Sequence, residues 1–245
     1  MNKGLRPAIV FCLVIAARLL TTDGLAFEPT DEYEVRELEG WTLRLNKSLL
    51  QHETLSRDTL RLLEFQLYQI KRVVPAPAVA ELQKTPIWIE LADKDFPCMC
   101  YHPSADWLRG HDFNPEKAGG VEISNPTNFL QWTKEQPWMV LHELAHSYHH
   151  KVLGYDHPGI KAAYEHAVAS KKYERVRHIN GRMERHYALN NDQEYFAEAT
   201  EAFFGTNDFY PFVRAELQEF DPEMYQLLRK VWGVDRAVAA KTASP

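Results

Sequence analysis

Two histidines and a glutamate in the stretch MVLHELAHSYHH (139–150) have types and spacing that could bind a metal ion and activate water. His142 and His146 are four residues apart, so on a helix both imidazoles lie on one face and can bind the same ion. Glu143 is rotated by about a quarter-turn, where its carboxylate can take a proton from water but does not bind the ion. A metal beside a general base is what zinc-dependent hydrolysis requires. The stretch therefore predicts half of a catalytic zinc site.

A catalytic zinc ion needs a third protein ligand, and two glutamates compete for that role. The extended pattern H-E-x-x-H-x-x-G-x-x-H is excluded, because its glycine and third histidine would fall on His149 and Val152. Glu165 follows His146 by nineteen residues, which suits a shorter H-E-x-x-H…E spacing. However, Lys161 on the preceding helical turn offers Glu165 an ordinary surface salt bridge. Glu165 is therefore the weaker of the two.

The stronger candidate lies in NNDQEYFAEATEAFFG (190–205). Glu194, Glu198 and Glu201 recur there at i, i+4 and i+7 and so lie on one face of a helix. A carboxylate stripe opposite two histidines is what a His-His-Glu zinc site requires. Asn191 and Glu194 also fit a capping box, which leaves a purely structural role open for Glu194.

H-E-x-x-H followed about fifty residues later by E-Y-F-A-E-A resembles the gluzincin metallopeptidases of the anthrax lethal factor type, over about residues 142–204. The resemblance implies that Glu194 is the third zinc ligand and that Glu198 supports a histidine ligand. It also implies that Tyr187, seven residues before Glu194, stabilises the oxyanion of the transition state. An ordinary core tyrosine is the alternative for Tyr187.

The resemblance further implies a substrate-binding strand shortly before the metal helix. GGVEISN (119–125) stands in that place, and main-chain pairing with it would bind extended peptides with little sequence preference. A plain core strand is the alternative interpretation. The candidate substrate-binding residues are Gly120, Val121, Glu122 and Ile123.

The first 26 residues have the order of a secretory signal peptide. Lys3 and Arg6 precede an apolar run from Ala8 to Ala17, and Gly24-Leu25-Ala26 supplies small residues at a cleavage site. The run is too short for a comfortable membrane span. We expect a secreted or periplasmic protein without a stable span after cleavage. A buried N-terminal helix or an uncleaved anchor is the alternative.

Composition and periodicity predict one α+β domain over residues 27–245, with a small N-terminal sheet and a helix-rich second half that carries the H-E-x-x-H helix. The resemblance makes this a zincin-like metallopeptidase domain. The formal net charge of -6 lacks the basic excess of a nucleic-acid-binding protein. The turn signals Glu39-Gly40 and Asn180-Gly181 predict two hairpins.

The remaining cysteines and histidines carry no chemistry in this interpretation. Cys98 and Cys100 are expected to form a local structural pair, oxidised or not, because two cysteines with only His102 nearby cannot complete a tetrahedral zinc site. His149 and His150 lie near the end of the metal helix, where the helix dipole favours cationic side chains.

The resulting hypothesis is a secreted zinc metallopeptidase with one zinc ion per chain, a peptide or protein substrate, and Glu143 as the general base. Three alternatives stay open. The chain could be a zinc-binding domain without peptidase activity, with an interaction or regulatory role, or a zinc amidohydrolase that acts on a non-peptide substrate. It could also be a histidine-rich helix without metal. The sequence makes no prediction of oligomeric state.

Overall fold

The computed structural model describes residues 27–92 and 97–235. They form a mixed α+β structure whose core runs as one cluster from Trp41 to Trp232. The predicted signal peptide lies outside the described residues. Within the described ranges, no helix combines the length and the apolarity that a membrane crossing requires.

A five-stranded sheet is built from the first half of the chain, in the order β1-β2-β3-β5-β4. The pairs β1–β2 and β4–β5 are antiparallel, whereas β2–β3 and β3–β5 are parallel. The hairpin predicted at Glu39-Gly40 is confirmed, and both residues have the positive φ angles that its turn needs (54° and 92°). The strands are β1 (Tyr33–Leu38), β2 (Trp41–Asn46), β3 (Ile87–Ile89), β4 (Met99–Tyr101) and β5 (Val121–Ile123).

Ten α-helices, a short hairpin and several short 3-10 or π-helical turns form the other elements of the described residues. The hairpin predicted at Asn180-Gly181 is confirmed as β6 (Val176–Arg177) and β7 (Met183–Glu184). The helices are α1 (Lys47–Leu50), α2 (Glu53–Val73), α3 (Ala76–Leu82), α4 (Ala105–Gly110), α5 (Pro126–Trp132), α6 (Met139–Tyr148), α7 (Pro158–Ser170), α8 (Asp192–Phe204), α9 (Arg214–Phe220) and α10 (Pro222–Val231).

The sheet has two different faces, because successive side chains of a strand point to opposite sides. One face is apolar, and helix α6, which carries the H-E-x-x-H stretch, packs beside it, against β4 and β5. Its side chains belong to the main core and include Leu43, Leu45, Ile87, Ile89, Val121 and Ile123. The opposite face carries polar and charged side chains, among them Glu122, which is 1% exposed.

Helices α6 and α8 pack against each other in opposite directions. The end of α8 meets the start of α6, where a Cβ atom on Gly205 would overlap the indole ring of Trp138. The start of α8 meets the last turn of α6, where Glu194 lies beside His146. Close approach at position 205 therefore helps to set the distance between the two helices that carry the candidate ligands.

Candidate metal centre

Three candidate ligand atoms converge between α6 and α8. His142 Nε2 lies 3.2 Å from His146 Nε2 and 3.1 Å from Glu194 Oε2. The third side of the triangle, from His146 Nε2 to Glu194 Oε2, is 3.3 Å. Ligands at 2.0–2.1 Å from a tetrahedral zinc ion are about 3.3–3.4 Å apart. The three side chains thus have the types and the spacing of a zinc ligand set.

Helix geometry and capping explain how these side chains meet. His142 and His146 lie one turn apart on α6, a largely buried helix whose other side chains are mostly apolar. Glu194 is in the first turn of α8, where its backbone N–H donates to the side chain of Asn191 at 2.8 Å. Its carboxylate turns to the histidines instead of closing a capping box. Glu194 can therefore take part in the helix cap through its backbone N–H and still place its carboxylate beside the histidines.

The electrostatics of the centre favour a cation. Burial alone would raise the pKa of Glu194, but the neighbouring His146 and His142 hold it well below its ordinary value. Burial would lower the pKa of His142, yet its hydrogen bonds with Glu194 and Glu201 raise it well above 6.5. The carboxylates around His142 therefore favour positive charge at this place, which a proton or, in its stead, a metal ion can supply.

Glu201, which sequence reasoning placed on the stripe without a role, holds the second nitrogen of His142. Its Oε1 lies 2.7 Å from His142 Nδ1, whereas Glu198 Oε1 is 3.9 Å away. The hydrogen bond expected of Glu198 is thus made by Glu201. The difference follows from helix geometry. A side chain seven positions along the helix points within about 20° of the starting direction, whereas one four positions along points about 40° past it. The i+7 spacing from Glu194 was the signal for this assignment.

Glu198 is buried behind the histidines, 3.7 Å from His186 Nδ1, and its Oε2 has no hydrogen-bond partner in the described part of the chain. Burial, with the charges of Asp208 and Glu201, raises its pKa well above 4.5. For Glu201, burial raises the pKa to about 7 even though His142 opposes the shift. These carboxyl groups form a buried acidic layer beneath His142.

Glu143 and Tyr187 lie in the electrostatic neighbourhood of the centre, because the charge of Glu143 acts on His142 and the charges of Glu194 and Glu143 act on Tyr187. Glu143 is 7% exposed, and its carboxylate has no hydrogen-bond partner among the described residues. Tyr187 lies in a 3-10 turn (Tyr187–Asn190) that leads directly into α8. Burial first, and then the charges of Glu194 and Glu143, raise the pKa of Tyr187 above its ordinary value. The tyrosine therefore stays a neutral donor beside both carboxylates.

The predicted substrate-binding strand is not available for pairing. Strand β5, which holds Val121, Glu122 and Ile123 and follows Gly120, lies between β3 and β4 and has neighbours on both sides. The prediction was wrong because the order of strands depends on long-range pairing, and the short β4 adds outside β5. Among the described residues, the edge strand on this side of the sheet is β4.

Glu165 is not brought to the centre. It is exposed on α7, and it does not belong to any of the groups of side chains that converge in the described ranges. The salt bridge expected between Glu165 and Lys161 is also replaced, because Lys161 Nζ pairs with Asp156 Oδ1 at 2.5 Å.

The expectation of cationic side chains at the end of α6 is wrong for His149. The helix continues as a π-helical turn (His149–Leu153), which turns His149 into the core between Phe196 and Tyr155. Burial and the neighbouring positive charges lower its pKa to about 3. His150 is half-buried with its Nδ1 2.8 Å from the hydroxyl of Tyr101, and burial also lowers its pKa.

No protein-family model, curated protein or solved structure matches the chain.

Proposed function

We propose that the protein is a zinc-dependent metallopeptidase with a zincin-like domain that binds one catalytic zinc ion through His142, His146 and Glu194. The observation that carries the proposal is the triangle of ligand atoms with sides of 3.1–3.3 Å, next to the buried carboxylate of Glu143. The resemblance of the two motifs to gluzincins points to the same class.

Each side chain has a role in the hydrolysis of a peptide bond. A bound zinc ion would polarise the substrate carbonyl and make water acidic enough to attack it near neutral pH. Glu143 takes the proton of the attacking water and returns it to the leaving amine. Tyr187 donates a hydrogen bond to the oxygen on which negative charge develops. Glu201 orients His142 through Nδ1, so that Nε2 faces the centre.

The edge strand β4 supports a peptide as substrate. Cys98 O accepts from Ser124 N at 2.6 Å, and His102 N donates to Gly120 O at 3.0 Å. Because main-chain groups alternate along an antiparallel strand, those of Met99 and Tyr101 point away from β5. An extended peptide could add to this edge as a further strand, next to α6.

The proposed place of action is outside the cytoplasm. The apolar run and the small residues before position 27 support export through a secretory signal. The proposed partner is an extended peptide or an unfolded segment of a protein, since pairing through main-chain groups needs an accessible backbone.

The test measures zinc content and cleavage of a peptide library for the wild-type protein and for Glu143→Gln. We expect stoichiometric zinc in both and a loss of cleavage on the order of 10²–10⁴-fold in the variant, the usual contribution of a general base. Glu165→Gln is the matched control, because it removes an exposed carboxylate outside the centre and should leave both properties unchanged.

The alternatives give other results. Zinc without cleavage of any peptide would favour a binding domain without activity or a hydrolase for non-peptide amides. Wild-type protein that retains no zinc, or a Glu143→Gln variant as active as the wild type, would contradict the proposal.

A further inference from the structure

The polar face of the sheet, opposite the face beside which α6 packs, carries a row of side chains across four strands. Arg44 of β2 pairs in register with Trp88 of β3, Trp88 with Glu122 of β5, and Glu122 with Cys100 of β4. Residues directly opposite each other on neighbouring strands share a face and lie within contact distance. The row therefore ends with a carboxylate beside a thiol at the β4 edge.

His102 joins this end of the row. Its Nε2 lies 2.5 Å from Glu122 Oε2 and 3.5 Å from Cys100 Sγ, so one nitrogen faces both other donors. A tetrahedral zinc ion with bonds of about 2.3 Å to sulfur and 2.0–2.1 Å to nitrogen separates these two ligand atoms by about 3.5 Å. The sulfur–nitrogen pair already has that separation. The nitrogen–oxygen pair would have to open by somewhat less than 1 Å.

Charge balance leaves room for a metal ion. Lys117 Nζ binds Glu122 Oε1 at 2.8 Å and Glu90 Oε1 at 2.6 Å. The side chains of Glu90, Glu122 and Lys117 by themselves carry one net negative charge. A divalent ion with a thiolate ligand brings one net positive charge and would neutralise it. Such an ion would replace the direct contact of Glu122 Oε2 with His102 Nε2, while Lys117 keeps the other oxygen of Glu122.

The ion network alone does not account for Cys100. Its Sγ is not needed to neutralise Glu90 or Glu122. Nevertheless it lies 3.5 Å from His102 Nε2, the same nitrogen that contacts Glu122. Cys98 differs, because its Sγ contacts Met139 Sδ at 3.5 Å in the main core. The two cysteines therefore do not act as a pair.

We propose a second metal site, of the zinc type, formed by Cys100, His102 and Glu122. Thiolate, imidazole and carboxylate are the three ligand types that zinc combines in proteins. Ser124 Oγ, 4.0 Å from Cys100 Sγ, lies beside the fourth position, where it or a water molecule completes the tetrahedron. Cys100 is only partly buried, which gives an ion access from the β4 edge. The site shares no ligand with the centre between α6 and α8.

The test loads the full chain, stripped with a chelator, with Zn²⁺ or Co²⁺ under reducing conditions. We expect two zinc ions per chain in the wild type, one in Cys100→Ser and two in Cys98→Ser, the matched control. With Co²⁺, a thiolate ligand gives a charge-transfer band in the near ultraviolet that a His-His-Glu site cannot give. The band should vanish in Cys100→Ser and persist in Cys98→Ser.

His146→Ala separates this proposal from the proposed function. The variant should lose the ion between the helices but keep one zinc ion and the thiolate band. A wild type without the band, or a band that survives Cys100→Ser, overturns the second site whatever happens at the first. If Cys100→Ser does not fold, alkylation of the wild type decides. Zinc should slow the modification of Cys100 by roughly tenfold or more, since a metal-bound thiolate is protected, and unchanged alkylation overturns the site.

Discussion

The centre between α6 and α8 and the cluster on β4 and β5 place the same kinds of side chain together with different charge balance. Glu143, Glu194 and Glu201 crowd the two histidines of the first, and within the described ranges no lysine or arginine forms an ion pair with them. At the second, Lys117 offsets Glu90 and Glu122. A surplus of buried carboxylates indicates a strong demand for a cation. The strand cluster is closer to neutrality and should bind its ion more weakly.

The largest expected effect tests the countercharge of the strand cluster. Lys117→Met leaves Glu90 and Glu122 buried without their ammonium, which should lower the free energy of unfolding by about 3–5 kcal/mol. Lys84→Met is the control, since the pair of Lys84 with Glu81 is exposed and should be worth less than about 1 kcal/mol. Denaturant unfolding measures both variants. Equal losses would mean that the cluster does not depend on Lys117.

The next effect tests the chemistry of the helical centre. Tyr187→Phe should lower kcat by about 10²–10³-fold, as removal of an oxyanion donor does, while KM and zinc content change little. Tyr164→Phe is the control, because its hydroxyl donates to Leu189 O at 3.1 Å and has no place in the mechanism. Steady-state kinetics on one cleaved peptide compare them. An unchanged kcat in Tyr187→Phe would remove this residue from the mechanism.

A smaller effect separates the two glutamates behind His142. Glu201→Gln should weaken zinc binding by about 10–100-fold, because the carboxylate on Nδ1 orients the ligand and raises its basicity. Glu198→Gln should have a smaller effect, since its oxygen is 3.9 Å from the same nitrogen. Competition with a chromogenic chelator gives both affinities. The reverse order would restore the role that the resemblance assigns to Glu198.

The smallest effect concerns His149, at the buried end of α6. The pKa of His149 is about 3 in the folded chain and about 6.5 in the unfolded chain, so acid protonates the unfolded chain first. His149 therefore costs stability as the pH falls from about 6.5 towards 3, by at most about 1.4 kcal/mol per pH unit. His149→Leu should remove this part of the acid sensitivity.

Thermal unfolding at pH 7 and pH 5 measures the difference, with His52→Leu as an exposed control. If wild type and His149→Leu lose the same stability between the two pH values, the histidine is not buried in its neutral form.

What could be predicted from the sequence was mostly local. One helical turn relates His142 to His146, and turn residues specify both hairpins, so neither depends on distant contacts. The placement of Glu194 came from a family resemblance between two motifs. No local rule says that α6 and α8 pack in opposite directions with these side chains between them.

The wrong predictions all concerned long-range strand pairing or the direction of a side chain around a helix axis. The edge position of β4 depends on which strand adds outside β5, and a three-residue strand between prolines gives little signal. For the same reason Glu122 was not recognised as a neighbour of Cys100 and His102. The π-helical turn at His149 changes the direction of one side chain without leaving a mark in the apolar pattern.

The contact of Gly205 with Trp138 has a consequence for natural variation. Any larger residue at position 205 would push the end of α8 away from the start of α6. The ligand atoms on these helices are separated by only 3.1–3.3 Å, so even a small shift would spoil the metal geometry. In a screen of random variants scored by activity, position 205 would thus be as intolerant as the ligands themselves. A glycine without any reactive group would then be mistaken for a catalytic residue.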